Sequence, residues 1–509
     1  MGGDLAAWRW SAFFALLSLA FYTATLAPTV LWHDGAGLQL MAVKCSLQSS
    51  AGGHPIWVWI AHQFTKMPLG DVAGRVNLVS AVFGAITVGL LYLILHELGV
   101  RPKASALATL AFAVSHTFWT NAVCAEVYTL TLCFMSLPVW LGLRWYHCQG
   151  HIYLAGAGLA FGIGLGIHVM IVLYLPALLW LLWRGRRRLD ARAVLAFVLS
   201  GGIGALPLIS LLVRDVQSMG LRGMDIARWA FLMIEDQDFV RSAFAFSPLL
   251  FISDMFEWIA FLGLQFVGLS FVCGIVGIIV GWPRLQRDVS IFVWLLYLAV
   301  MAFAFAYRVG DRYVFYLPSY IPFAIWIAFG FQWALERCSS WPLTTGLARW
   351  GSIALVVAVV GVPVSTYRLA PYLVSRGLSF RSTWHVPGPK GDLFFLWPSK
   401  AGYWDPRVYA ETALEAMPPN GLLLSDYILA PPLYFVQEVE GMRPDVTVRH
   451  RGWGFDTVLQ EARVRPVALA DVNPQVYPVE EIRKSFDMVR RGPIYLLVAR
   501  TPSAATSGD

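Results

Sequence analysis

Apolar runs about 20 residues long recur through the first three-quarters of the chain, separated by short polar loops. As a helix, such a run crosses roughly 30 Å of hydrocarbon. Lipid offers no partner for backbone N–H and C=O groups, so the runs are expected to be helices and not open strands. The pattern predicts about eleven crossings: Trp10–Val30, Val76–Leu98, Ala104–Trp119, Val127–Trp145, Ile152–Gly166, Val169–Trp183, Ala193–Val213, Trp258–Val280, Ile291–Ala306, Leu317–Trp333 and Leu347–Tyr367. The shorter members imply local thinning or tilt. Trp10–Val30 lacks an A-x-A cleavage site and reads as a retained helix.

From Arg368 onward the pattern turns soluble. Pro387-Gly388-Pro389 reads as a linker. Gly421–Ser425, Val446–Arg449 and Ile494–Val498 read as short buried strands, alternating with helical stretches near Val408–Ala416, Pro432–Glu440 and Val479–Arg490. That alternation predicts a small α/β domain. The expected organisation is a membrane unit, 1–367, with a long first outside loop, 31–75, followed by a soluble unit, 368–509.

Composition agrees with a membrane class: of 509 residues, 58% are hydrophobic and 14% charged, against roughly 25% charged in soluble domains. The positive charges collect in alternate loops, at Arg101 and Lys103, Arg144, the Arg184–Arg188 run, Arg284 and Arg287, and Arg337 and Arg349. The intervening loops mix signs. By the positive-inside rule the N-terminus is cytoplasmic and the C-terminal domain lies outside. The formal charge of +7 therefore reports topology, and nucleic acid is not an expected partner. Six scattered cysteines without a C-x-x-C pair argue against a zinc site or disulfide framework. There is no phosphate-binding G-x-x-x-x-G-K-[ST] loop. Asp236-Gln237-Asp238 has D-x-D spacing, but no nucleotide-binding domain surrounds it, and no metal is expected there.

The candidate chemistry collects at the outside face. Asp34, in Trp32-His33-Asp34-Gly35, follows the first crossing at the water–lipid boundary, where partial burial would tune a general base; Asp-Gly is also a common turn pair. The loop then runs through two short interfacial helices, Leu38–Leu47 and Ile56–Thr65, the second anchored by Trp57 and Trp59. His54, between them in Gly53-His54-Pro55, is placed either to donate to a phosphate or hold Asp34, or to serve structure. Glu126 stands at the outer mouth of a crossing, where ionisable groups are functional or paired. His168 faces the same layer from a turn. Arg308 and Arg312 suit a phosphate diester, with Asp311 available to orient one of them; a local ion pair is the alternative.

These residues resemble a known family. Leu26-Ala27-Pro28-Thr29-Val30, His33-Asp34-Gly35, Gly53-His54-Pro55 and the stretch Pro68 to Ala81, with Arg75, Asn77 and Ser80, are similar to the pattern of the group first labelled domain of unknown function 2723. Ala125-Glu126-Val127-Tyr128, Gly310-Asp311-Arg312 and Glu440 to Val446 are similar as well. That group resembles the GT-C superfamily of glycosyltransferases and includes a eukaryotic protein O-mannosyltransferase. The resemblance implies a multi-helix GT-C-like bundle that takes sugar from a polyprenyl-phosphate donor, with inversion, and with an aspartate of the first outside loop, here Asp34, as base. The chain departs from the pattern at His33, where tryptophan is usual, and at Gly37, where the family has glutamate. Loss of that acid favours metal-independent chemistry, with no cofactor beyond the lipid-linked donor. The acceptor, whether protein, glycan or lipid, is not specified. A transporter or flippase of lipid-linked sugars, and a non-catalytic envelope scaffold, are the competing classes. The absence of an N-x-[ST] sequon favours a bacterial inner membrane over an endoplasmic reticulum.

Overall fold

Helix α1 (Gly2–Ala24) carries the chain from a cluster of charged groups at one end of a helical bundle to a cluster of polar loops at the other. The computed structural model describes residues 2–231, 248–339, 345–377, 391–450, 453–474 and 476–500. The Asp236-Gln237-Asp238 and Pro387-Gly388-Pro389 stretches lie outside the described residues.

Among the described residues, six helices are long and apolar enough to cross a membrane on their own, and seven if a bent pair is one span. The protein is a multi-pass membrane protein, but the expected eleven crossings are not confirmed. The differences have local causes. Ala104–Trp119 is broken at Val114–Ser115 into Pro102–Ala113 and His116–Ala122. Trp258–Val280 is split into Pro248–Gln265 and Leu269–Gly281, bent by 119° at Gly268, whose φ is 73°. The helices His151–Leu165 and Leu175–Arg184 rise only about 22 and 15 Å at 1.5 Å per residue.

One end of the bundle is tied by ion pairs between loops expected to lie on a common face: Arg144 with Asp4 and Glu97, Arg101 and Arg284 with Glu336, and Arg184 with Asp288. Helix packing relies on small residues, as expected where lipid supplies no hydrophobic drive between helices. A Cβ on Gly277 would lie 1.7 Å from the Trp326 carbonyl oxygen, and one on Gly330 1.9 Å from that of Cys273. Gly277→Val is therefore expected to force Leu269–Gly281 away from Tyr320–Ser339, at a cost of about 3 kcal/mol or more. Loss of the monodisperse peak in detergent chromatography would report it.

The loop after α1 forms two short helices, α2 (His33–Lys44) and α3 (Pro55–Thr65), before the long α4 (Val72–Glu97). Both short helices were legible in the sequence. Beyond the bundle, five strands form one sheet in the order β2-β1-β3-β5-β4, with β1 Leu422–Leu424, β2 Thr447–Arg449, β3 Val467–Leu469, β4 Phe486–Arg491 and β5 Ile494–Ala499. The first three are parallel; β5 is antiparallel to both β3 and β4. The expected α/β character holds, with two corrections. β3 was not anticipated, and the stretch Val479–Arg490 is helical only to Ser485 before entering β4. The left-handed Gly492, φ 59°, turns β4 directly onto β5, and the strand ladder overrides the helical pattern.

The sheet unit sits on the first loop. Arg407 donates to Thr29, Asp71 and Glu440, and Lys44 pairs with Glu438. Asp71 uses its other oxygen to cap α4, accepting from Ala73 and Gly74 at 2.8 and 3.1 Å, an arrangement worth about 1 kcal/mol.

Candidate active site

Two buried amides set the path that delivers Asp34. Asn77, on α4, donates to the carbonyls of Ala27 and Thr29 at 2.9 and 3.1 Å. Gln39, on α2, accepts from the Leu31 N–H at 3.1 Å and donates to Asn77 Oδ1 at 2.8 Å. Buried side-chain amides must find partners, so the pair pins the stretch Ala27–Leu31 against α4. Trp32 is buried, packs on Tyr409 with ring centroids 5.3 Å apart, and donates to the Tyr403 hydroxyl at 2.8 Å. The chain then enters α2 with Asp34 in its first turn, where the helix dipole favours a negative side chain.

Asp34 lies at an open cleft of about 550 Å³, part of it continuous with solvent, whose walls also include Glu126, Asp311, Tyr128, Tyr313 and Phe394. Glu126 comes from the turn before the helix Tyr128–Cys148; its carbonyl accepts from Trp57 Nε1 and Ser80 Oγ, both at 3.1 Å. Asp311 comes from the loop after the helix Arg287–Ala306. Burial first, then the charges of Asp34 and Asp311, hold the Glu126 carboxyl well above the usual carboxylate range. Burial and then Asp34 raise that of Asp311. The Asp34 side chain is 65% exposed. Three acids in one cavity thus differ in setting: Glu126 and Asp311 are recessed and pushed upward by burial, and the side chain of Asp34 is open.

Asp34, Glu126 and Asp311 are therefore brought together. His33 joins them, with Nδ1 3.3 Å from Asp34 Oδ2. His54 has its Nδ1 engaged by the Ile167 carbonyl at 2.8 Å and its ring stacked on His168 at 5.0 Å, with Asp34 within electrostatic reach. His168 Nδ1 accepts from the Met170 N–H at 3.0 Å, capping a 3₁₀ turn. Burial pushes the His54 imidazole below its ordinary range and His168 well below it. The two rings form a stacked pair beside Tyr128, which is 5.9 Å from His168.

The arginines also differ from expectation. Asp311 faces the cavity and orients neither of them. Arg308 pairs with Asp254; Arg312 pairs with Asp254 at 3.0 Å and Glu257 at 2.5 Å. Both acids sit on the helix Pro248–Gln265, so the arginines are ion-paired, but with acids more than fifty residues away in sequence and not within their own loop. Acids in an otherwise apolar helix were the signal that could have found this cluster.

The contributions from the C-terminal part had no comparable signal. Phe394 closes one wall of the cavity. Lys400 is buried, its Nζ donating to the carbonyls of Trp397 and Pro398 and its N–H to Thr25 O at 2.9 Å. Burial pushes its ammonium down to about 8. It fastens the segment carrying Phe394 to the end of α1. Among the described residues, no three His, Cys, Asp or Glu side chains are grouped to hold a metal ion.

Comparison with known proteins bears out the resemblance read from the first third of the chain. Residues 39–190 match the family model described as the protein O-mannosyl-transferase TMEM260 N-terminal domain. The mouse (Mus musculus) protein O-mannosyl-transferase TMEM260 is 28% identical over 219 residues, 41% of this chain and 30% of the mouse protein. The match thus spans about a third of that relative's length. Among solved structures, the archaeal oligosaccharyltransferase AglB from Archaeoglobus fulgidus, in complex with an inhibitory peptide and a dolichol-phosphate, is 10% identical with a TM-score of 0.48, covering 90% of this chain and 69% of that one. The mycobacterial arabinofuranosyltransferase AftD is 12% identical with a TM-score of 0.46, covering 97% and 40%. The Saccharomyces cerevisiae protein O-mannosyltransferase Pmt1-Pmt2 complex bound to the sugar donor is 17% identical with a TM-score of 0.33, covering 44% and 35%.

Proposed function

We propose that this protein is a membrane glycosyltransferase that moves a sugar, mannose in the first instance, from a polyprenyl-phosphate donor to an acceptor hydroxyl on the extracytoplasmic side. The observation that carries the reading is the exposed carboxylate of Asp34 beside two recessed acids in one cavity, at the bundle end opposite the arginine-rich loops. The mouse relative's name supplies the sugar and a protein hydroxyl as the acceptor to try first.

In this reading Asp34 removes the proton from the acceptor hydroxyl. The oxygen attacks the anomeric carbon, the bond from that carbon to the phosphate oxygen breaks, and polyprenyl phosphate leaves with the electron pair from the opposite face. The configuration is inverted. Tyr128, Tyr313 and Phe394 provide apolar faces and hydroxyls for the sugar. The donor phosphate lies toward Arg308 and Arg312. Glu257, whose side chain is 44% exposed, is the partner a phosphate diester displaces from Arg312, because an exposed ion pair is weak.

The test is release of polyprenyl phosphate by purified protein in nanodiscs, using polyprenyl-phosphate mannose and a serine/threonine peptide. Absence of release from this and other polyprenyl-phosphate sugars would sink the reading. Because the acids do not converge with metal-ligand spacing, transfer is expected to be metal-independent: EDTA leaves the rate unchanged, and a rate restored only by a divalent cation would contradict this.

A further inference from the structure

His33 touches both Asp34 and the C-terminal unit. Its backbone is left-handed, at φ 53°, a conformation uncommon for a non-glycine residue and kept only where the surroundings enforce it. The enforcement comes from across the molecule. The His33 N–H donates to the Ile428 carbonyl at 3.1 Å, and the imidazole meets the Tyr427 ring edge-on at 5.2 Å and 72°. Ile428 and Tyr427 lie in the turn after β1, the middle strand of the parallel trio. Open α/β sheets present their working loops at the carboxyl ends of such strands.

The same imidazole places Nδ1 3.3 Å from Asp34 Oδ2, an ion-pair distance at which the ring is not yet aligned for a hydrogen bond. Its side chain is 17% exposed while that of Asp34 is 65% exposed, so the carboxylate is open and the group beside it is shielded. Asp311 also lies within electrostatic reach of His33. An imidazole between two acids is poorly placed to bind an anionic phosphate and well placed to hold a carboxylate.

We propose that His33 is the positioning residue for Asp34, gripped by the turn after β1 and holding carboxylate oxygen Oδ2 through Nδ1–H so that Oδ1 is left for the acceptor proton. The proposal rests on the transfer reading and makes the docked C-terminal unit part of the active geometry. It also separates the imidazoles by role: His33 acts through the base, while His54 and His168 are occupied with each other and with backbone groups.

The test uses the full chain in nanodiscs with polyprenyl-phosphate mannose and a serine/threonine peptide. His33→Gly deletes the imidazole, and glycine accepts a positive φ without strain, so the turn survives. The expected result is a fall in kcat of about 10- to 100-fold, the range contributed by partners that orient a reacting group, with the donor KM unchanged. Added imidazole should restore the rate saturably, and His33→Asn, which tolerates the left-handed backbone and keeps a donor, should retain more activity than His33→Gly. A wild-type kcat in His33→Gly with an unchanged melting temperature overturns the proposal; so does a loss that neither imidazole nor Asn relieves. A second readout needs no turnover: ¹⁵N spectra of His33 should show the Nδ1-protonated tautomer in the wild type and lose it in Asp34→Ala. Tautomer populations that do not respond to Asp34 overturn the proposal, whereas a responding tautomer in a protein that transfers no sugar supports His33–Asp34 coupling and faults the transfer reading alone.

Discussion

Asp34→Asn is expected to lower polyprenyl-phosphate release by about 10²- to 10⁴-fold, the range contributed by a positioned general base, with no loss of folded protein. The two halves of that expectation come from different observations. The amide cannot accept the hydroxyl proton, and neither recessed acid can take over. Burial and the charges of Asp34 and Asp311 push the Glu126 carboxyl well above its usual range, and burial and Asp34 push that of Asp311 upward, so each holds a proton more readily than an ordinary carboxyl. Stability, in contrast, does not depend on this side chain. It is exposed, and the path that delivers it is held by Asn77, Gln39 and Trp32. Release measured at saturating donor would separate the chemical step from binding: kcat should fall and the donor KM should stay. An Asp34→Asn protein that melts like the wild type and turns over within a few-fold of it would remove Asp34 from the mechanism. Glu126→Gln is the natural control, because it keeps a hydrogen-bonding group of the same shape where burial disfavours a charge.

What could be read from the chain, and what could not, divides along the range of the interactions. Helices α2 and α3, the helices after Trp404 and Leu429, and strands β1, β2 and β5 are set by local patterning, and each was visible. Asp34 stood out because an acid follows an apolar run at the membrane boundary, although Asp-Gly is also a common turn pair. The failures are long-range. Nothing local marks Val467–Leu469 as a strand; it becomes one by pairing with β1 and β5. Nothing local distinguishes His33 from His54 as the partner of Asp34. That choice is made by the Ile428 carbonyl and the Tyr427 ring, almost four hundred residues away in sequence. The number of crossings is left unconfirmed for a related reason. Apolar composition does not report where a helix breaks, and the break at Gly268 depends on a positive φ that the tertiary packing imposes. Asp311 was assigned to the wrong partner because Gly310-Asp311-Arg312 places acid and base side by side in sequence, while the 3₁₀ turn beginning at Arg312 sends them apart, one to the cavity and the other to the helix Pro248–Gln265.

Asp254→Ala is expected to be among the most destabilising single changes, by about 3–5 kcal/mol, the cost of breaking a buried pair from one side. Asp254 is 4% exposed and is the shared partner of two arginines. Removing it leaves Arg308 and Arg312 facing each other with Glu257 as their remaining partner on that helix. Glu257, half-exposed and bonded to Arg312 alone, cannot compensate both. Glu257→Gln should therefore cost no more than about 1 kcal/mol, as for exposed pairs, and the contrast between the two acids is the diagnostic. Thermal unfolding in detergent would measure it, and equal melting temperatures for the two variants would refute the shared-partner account. The consequence extends to the site. The arginines are anchored to the helix Pro248–Gln265, and the loop between the helix Arg287–Ala306 and Arg312 carries Asp311 into the cavity. Losing Asp254 should therefore displace an acid that it never touches, so any Asp254→Ala protein that still folds should show a raised donor KM as well as a lower melting temperature. Glu257→Gln should instead hold or lower the donor KM, because it removes the acid that competes with a phosphate for Arg312 and leaves Asp254 to hold the loop in place.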